Sequence, residues 1–225
     1  FDIKKKNKFN KLIILFFSIV VLLSNERSAT IMILFGMFIY IFLNPEKNFL
    51  NKIFKTMIIS VILIVLFIQN KHLTNHYQNF VLKKNDEAIS IIKNFKDTQW
   101  GAHHLTALEI SKDNFLLGSG IGTFRYVCAN SEYEKINSKL YEVRCSTHPH
   151  NIYLEILSEA GIIFFLFFIY CNFKVFFYLI KKIIFTREIQ YNLLFCAYVV
   201  LFNPIQTTGS FFSTWNGIFY WVFIS

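Results

Sequence analysis

Acidic residues are scarce in this sequence: 14 aspartates and glutamates stand against 23 lysines and arginines, a formal net charge of +9. In a soluble protein that balance points to nucleic acid. No RNA-type basic and aromatic motif accompanies it, and no zinc-finger spacing, so nucleic acid is excluded as a partner. No HExxH pattern is present, and no second short-spaced pair of histidine and carboxylate, which speaks against a zinc enzyme. The glycine cluster Gly118-Ser119-Gly120-Ile121-Gly122 lacks GxGxxG spacing and has no βαβ unit around it. It reads as a tight turn after a helix rather than as a nucleotide site. There are no internal repeats, and the lysine-rich start is the only biased tract.

What the chain does have is apolar material in long runs. It is 54% hydrophobic over 225 residues and carries 28 phenylalanines. That defines an all-α integral membrane protein. Six runs can form or contribute to spans: 12–23 (extended by Phe9 and Ser24), 30–43, 54–68, 152–173, 189–202 and 211–225. The first could be a signal peptide, but five further runs favour a true span. Because the first residue is Phe, the sequence reads as the C-terminal part of a longer polytopic protein. The expected organisation is 1–69 with three spans and an outer arginine turn, 70–151 as an external loop, and 152–225 with three more spans.

Lysine and arginine set the orientation. With the N-terminus inside, segments 1–11, 44–55 and 174–188 hold 12 of them in 38 residues, against 11 in the 97 residues of 24–29, 69–151 and 203–210. The short inner segments decide the matter. The long loop is then external and carries all six histidines. A loop this long is usually functional. Apolar spacing predicts amphipathic helices over 86–95 and 105–117. Cys128 and Cys145 both fall in this loop and can form a disulfide in an oxidising compartment, tying 122–124 to the segment that holds His150. Cys171 and Cys196 fall in spans and read as packing residues.

The chemistry concentrates in Thr147-His148-Pro149-His150-Asn151, at the entrance to the fourth run. Pro149 keeps His148 out of helical geometry, and Asn151 is a good N-cap. His150 is then expected at a helix N-terminus, where free N–H groups favour an anion and a neutral imidazole can accept a hydroxyl proton. The bland alternative is a histidine that only caps the helix. His148 and His150 with His103 and His104 could be grouped as metal ligands, but the ligand spacing is wrong, and no metal is expected. Glu155 and Glu159 follow Asn151 on one helix face. Carboxylates at that depth should face a cavity or a partner, and either could orient His150. Arg27 is the basic residue in the short outer turn 24–29. It can clamp phosphate bidentately, or simply snorkel. Arg125 and Arg144 read as solvated loop residues. Asn203-Pro204 and Thr207-Thr208-Gly209-Ser210 read as a short outer turn.

Taken together these places resemble the superfamily of O-antigen ligases and O-antigen polymerases, bacterial membrane glycosyltransferases. Arg27 in 24–29 looks like the family's arginine motif. The stretch 107–124, ending Asn114-Phe115-Leu116-Leu117-Gly118-Ser119-Gly120-Ile121-Gly122-Thr123-Phe124, looks like its loop signature. His150-Asn151, nine residues, then Gly161 looks like its histidine signature. Pro204 with Gly209-Ser210-Phe211-Phe212 and Trp215 looks like its late turn. The chain departs from the pattern at Phe164, where a small or polar residue is usual. It departs again at Trp100-Gly101-Ala102-His103-His104, where an arginine is often found; His103, His104 or Arg125 are the substitutes. The resemblance implies transfer of a glycan from undecaprenyl diphosphate to an acceptor hydroxyl at the periplasmic face of the inner membrane, without cofactor or metal. Lipid A-core is the first acceptor; a second lipid-linked repeat unit, or a protein, are the alternatives. Catalytic roles fall on His150, Arg27, Asn151 and Glu159, and substrate contacts on His103, His104, Arg125, His148 and Gly161. A non-catalytic transporter would carry charges near the midplane; here the ionisable groups stay at outer ends.

Overall fold

The computed structural model describes residues 27–43, 95–186, 188–204 and 209–224, with Val20 and Phe54 as isolated helical positions. The expected spans 12–23 and 54–68 and the expected helix 86–95 lie otherwise outside the described residues. Among the described residues every regular element is helical. The helices are α1 (Arg27–Leu43), α2 (Gln99–Asp113), α3 (Phe124–Val127), α4 (Ile152–Thr186), α5 (Ile189–Leu201) and α6 (Thr214–Ile224), with short 3-10 turns at Phe95–Asp97, Ser131–Lys135 and Tyr141–Val143. The chain divides into two compact units: Phe1–Lys83 with Lys182–Val200, and Lys84–Lys181 with Leu201–Ser225.

In the first unit α1 begins at Arg27, three residues earlier than the apolar run, so Arg27 opens a helix. The Asn192 side chain on α5 donates to the Leu43 carbonyl at 3.0 Å. That bond satisfies one of the orphan carbonyls at the end of α1.

In the second unit α2 starts at Gln99, six residues before the expected helix. Thr98 explains this: its backbone is extended, and its hydroxyl accepts the Gly101 N–H at 3.0 Å. His103 and His104 therefore ride on a helix. The buried positions Ala102, His103, Thr106, Ala107, Ile110 and Ser111 recur at three- and four-residue spacing, one face of the helix. The helix stops at Asp113, capped by Asn114, so 115–117 belong to the following turn. Ala107 and Ile110 pack with Phe124, Cys128 and Tyr133 in a small core. Burying a side chain such as Phe124 contributes about 1.5–3 kcal/mol. Cys128 and Cys145 are joined by a disulfide with Cα atoms 5.3 Å apart.

Helix α4 runs past the expected span to Thr186, so 174–186 is helix rather than inner loop. At about 1.5 Å per residue its 35 residues exceed a bilayer core of about 30 Å. It is long and apolar enough to cross a membrane; α5 and the Met32–Leu43 part of α1 are apolar but shorter. α4 is broken at Gly161 (φ 74°, ψ 179°). Only glycine adopts that backbone readily. The broken turn exposes the Ser158 and Glu159 carbonyls, which accept the N–H groups of Ser119 and Gly120 at 2.9 Å each; Ile162 N–H donates to the Phe115 carbonyl at 2.9 Å. The two backbones cross so closely that a Cβ on Gly161 would lie 2.4 Å from the Leu116 carbonyl oxygen, and one on Gly118 (φ 73°) 2.3 Å from Glu159. The sixth run forms helix only from Thr214, because 211–213 belong to a turn held by α4. Beside that turn Phe168, Phe202, Phe211 and Tyr220 pack ring against ring, 5.4–6.1 Å between centroids.

Candidate functional site

The second unit gathers three aromatic side chains around His150. Trp100 meets it edge-on at 4.8 Å between centroids, His148 lies at 4.2 Å and His103 at 5.4 Å. α2 supplies Trp100 and His103, and the segment entering α4 supplies His148 and His150. The disulfide ties that segment back to the loop after α3, and Pro149 is fully buried within it. His150 itself has φ 60°. A non-glycine residue in the left-handed region is uncommon and strained by roughly 1–3 kcal/mol. The imidazole Nε2 lies 2.9 Å from the Ser146 hydroxyl, which orients the ring.

His103 is completely buried, with Nδ1 3.1 Å from the Arg144 carbonyl. A carbonyl only accepts, so Nδ1 carries a proton. Nε2 of His103 and Nε2 of His104 are buried and have no hydrogen-bond partner among the described residues. Burial, with His148, His103 and His104 nearby, pushes the His150 imidazole down from 6.5 to about 4. Burial and His103 push His104 down to about 4 as well. At neutral pH both are uncharged, so the site offers lone pairs rather than positive charge. Among the described residues no three or more His, Cys, Asp or Glu side chains are arranged so that they could hold a metal ion.

Asn151 caps α4. Its Oδ1 accepts the N–H groups of Tyr153 and Leu154 at 3.0 and 3.2 Å, and its carbonyl accepts that of Glu155 at 2.9 Å. Two of the N–H groups expected to favour an anion at this helix N-terminus, those of Tyr153 and Leu154, are thus taken up by the cap. The Asn151 amide donates to the Pro204 carbonyl at 2.8 Å, and the Tyr153 hydroxyl to Phe202 at 2.6 Å, so the late turn is pinned to the histidine segment.

The two carboxylates of α4 are both 1% exposed and both grip loops. Glu155 accepts from the Ser210 hydroxyl and from Phe211 N–H, the latter at 2.7 Å. Glu159 accepts from Gly122 N–H at 2.7 Å and Phe124 N–H at 3.0 Å. The His150 ring is oriented by Ser146, not by either glutamate. Arg144, expected to be solvated, is 8% exposed. Its guanidinium donates to the carbonyls of Cys128, Tyr141 and Ala129 and lies 3.5 Å from Glu134. It welds the disulfide loop together while its own carbonyl holds His103. Arg125 is exposed on α3. His148 Nδ1 lies 2.9 Å from the Thr147 hydroxyl. Gly161 sits in the kink, against the loop backbone. Arg27 opens α1 in the other unit, and its side chain lies outside what is described.

Ser146, Trp100 and the burial of Arg144 had no clear sequence signal. Ser146 precedes His150 by four residues in a segment without helical geometry, a spacing that carries no pattern.

A family model described as O-antigen ligase matches residues 12–169. That is well over half of the chain and takes in Arg27, the glycine loop, the histidine segment and the kink. The chain belongs to the O-antigen ligase family, whose members are glycosyltransferase-like membrane enzymes. Neither the curated proteins nor the solved structures contain a match to it.

Proposed function

We propose that the protein transfers a glycan from undecaprenyl diphosphate to lipid A-core at the periplasmic face of the bacterial inner membrane. The carrying observation is the His150 imidazole. It is neutral, oriented by Ser146 and flanked by His103, and it lies within the matched family span. A neutral imidazole accepts the proton of an attacking sugar hydroxyl or aligns that hydroxyl by a hydrogen bond. The anomeric bond to the diphosphate breaks as the new glycosidic bond forms. The leaving diphosphate needs fixed positive charge, the role of Arg27. Asn151 and Glu159 act by position: one starts α4 under His150, the other holds the 118–124 loop. His104, His148 and Arg125 are the groups available to acceptor or donor hydroxyls, while His103, expected as a substrate contact, is fully buried and packs against the His150 ring. The proposed topology has six spans in 1–69 and 152–225, with 70–151 outside. Extension of lipid-linked repeat units and glycosylation of proteins use the same donor.

The test is a deletion strain complemented with wild type, His150→Ala or Arg27→Ala at matched protein level. Wild type restores long-chain lipopolysaccharide. Each variant leaves long glycan on undecaprenyl diphosphate. Normal ligation in either variant removes that residue's role. Core carrying at most one repeat in the deletion strain replaces the ligase reading with a polymerase.

A further inference from the structure

The turn between α2 and α3 displays apolar side chains outward. Phe115, Leu116, Leu117 and Ile121 are 55–76% exposed, and Tyr126 just beyond is 71% exposed. A soluble face would not carry five large apolar groups in twelve residues. We infer that this turn is a membrane anchor: 115–121 inserts its side chains into the hydrocarbon of the outer leaflet beside α4.

Three independent observations single out lipid as the occupant. First, the turn is fastened at the start of the apolar part of α4. Ile162 N–H donates to the Phe115 carbonyl, and the backbones cross at Gly118 and Gly161. The exposed apolar face of α4, with Ile163, Leu166 and Phe167 at 58–60%, continues directly from it. The 25 residues from 162 to 186 span about 37 Å, enough for a bilayer core. The turn therefore shares the level at which that helix enters hydrocarbon.

Second, much of the polar backbone of the turn is bonded within the protein. Gly118 N–H bonds to Asn114, Ser119 to Ser158, Gly120 to Glu159 and Thr123 to Gly120, while Gly122 and Phe124 bond to the Glu159 carboxylate. Irregular backbone enters hydrocarbon only when its polar groups are satisfied by protein. This also explains a buried carboxylate at that depth: Glu159 supplies acceptors that water would supply elsewhere. Third, the tip is bracketed by Arg125, exposed and able to meet lipid phosphates, by exposed Lys112, whose ammonium pairs with Glu109 at 2.7 Å, and by Tyr126, a residue type enriched at the membrane interface.

The anchor would hold α2, and so Trp100 and His103, at a set height above the lipid. The test reads depth, not activity, so it is independent of the proposed reaction. Leu117→Cys, Leu116→Cys, Leu166→Cys and Lys135→Cys are each made with Cys171→Ala and Cys196→Ala, the disulfide retained. Each is labelled with bimane and reconstituted alone in phosphatidylethanolamine/phosphatidylglycerol vesicles. Doxyl groups on the lipid chains should quench the Leu117 and Leu116 probes at least as strongly as the Leu166 probe, with little effect at Lys135. Aqueous iodide should do the reverse. Iodide quenching at Leu117 and Leu116 equal to that at Lys135, as a protein partner's empty docking face would give, overturns the anchor. Retained disulfide and unchanged melting temperature show that each variant is folded.

Discussion

His150 combines a strained backbone, a hydroxyl partner and a depressed pKa within one residue. Its position between buried Pro149 and the cap Asn151 leaves the chain little choice of path, which is how a φ of 60° is sustained. The consequence for pH follows from His150 and His104, both lowered to about 4. In the unfolded chain each takes up a proton below about 6.5, while in the folded site each stays neutral until about 4. The unfolded state binds more protons in that window, so stability is full above about 6.5 and declines as pH falls toward 4. Glycan transfer by the purified protein should therefore stay level from neutral pH to about 5 and fall below it. A half-maximal point near 6.5 would contradict a desolvated imidazole. The sequence points to His103 as a substrate contact, but its full burial and its bond to Arg144 are not legible there. They depend on the fold of a segment 41 residues away.

At the scale of elements, the crossing of the glycine turn with the break in α4 joins α2 and α3 to α4. A glycine at 161 was legible as part of a signature; the reason for it was not. Its φ and ψ are nearly glycine-specific, and the Leu116 carbonyl occupies the place of a Cβ. Gly161→Ala should cost several times more stability than Gly122→Ala. Gly122 also has a positive φ, but a Cβ there meets nothing within 4 Å. The Gly122 change carries only the left-handed strain of about 1–2 kcal/mol. Thermal unfolding of both variants in detergent measures the difference, and equal melting temperatures would remove the crossing as a structural constraint. Helix ends were less legible than helix existence. α2 starts early because Thr98 caps it, and α6 starts late because Glu155 holds the preceding turn.

At the scale of the whole molecule, the disulfide tests the topology. Cys128 and Cys145 close a loop of sequence separation 17 that ends one residue before Ser146. Such a closure stabilises by about 3 kcal/mol in the chain-entropy account. Cytosolic thiols are kept reduced, so the bond persists only if 95–151 faces an oxidising compartment. Mass spectrometry of the protein, alkylated in intact cells without reductant, should recover the Cys128–Cys145 cross-linked peptide. Removing the cell's disulfide-forming system should yield two alkylated cysteines and lower transfer. Fully alkylated cysteines in normal cells would place the segment inside and overturn the orientation argued from lysine and arginine.

The sequence by itself determined the membrane class, the apolar runs that became α1, α4, α5 and α6, and the family, because these depend on composition, on runs longer than any loop, and on short motifs in order. It also singled out His150, Asn151, Gly161 and the cysteine pair. Tertiary structure alone decided what the polar groups touch. Glu155 and Glu159 were expected to serve His150, yet their carboxylates are spent on backbone N–H groups of two loops far away in sequence. Ser146, which carried no pattern, holds the histidine. The physical reason is that a hydrogen bond needs two groups within about 3 Å in a specific direction. Spacing along a chain constrains that only inside a regular helix, and this site is built from segments between helices.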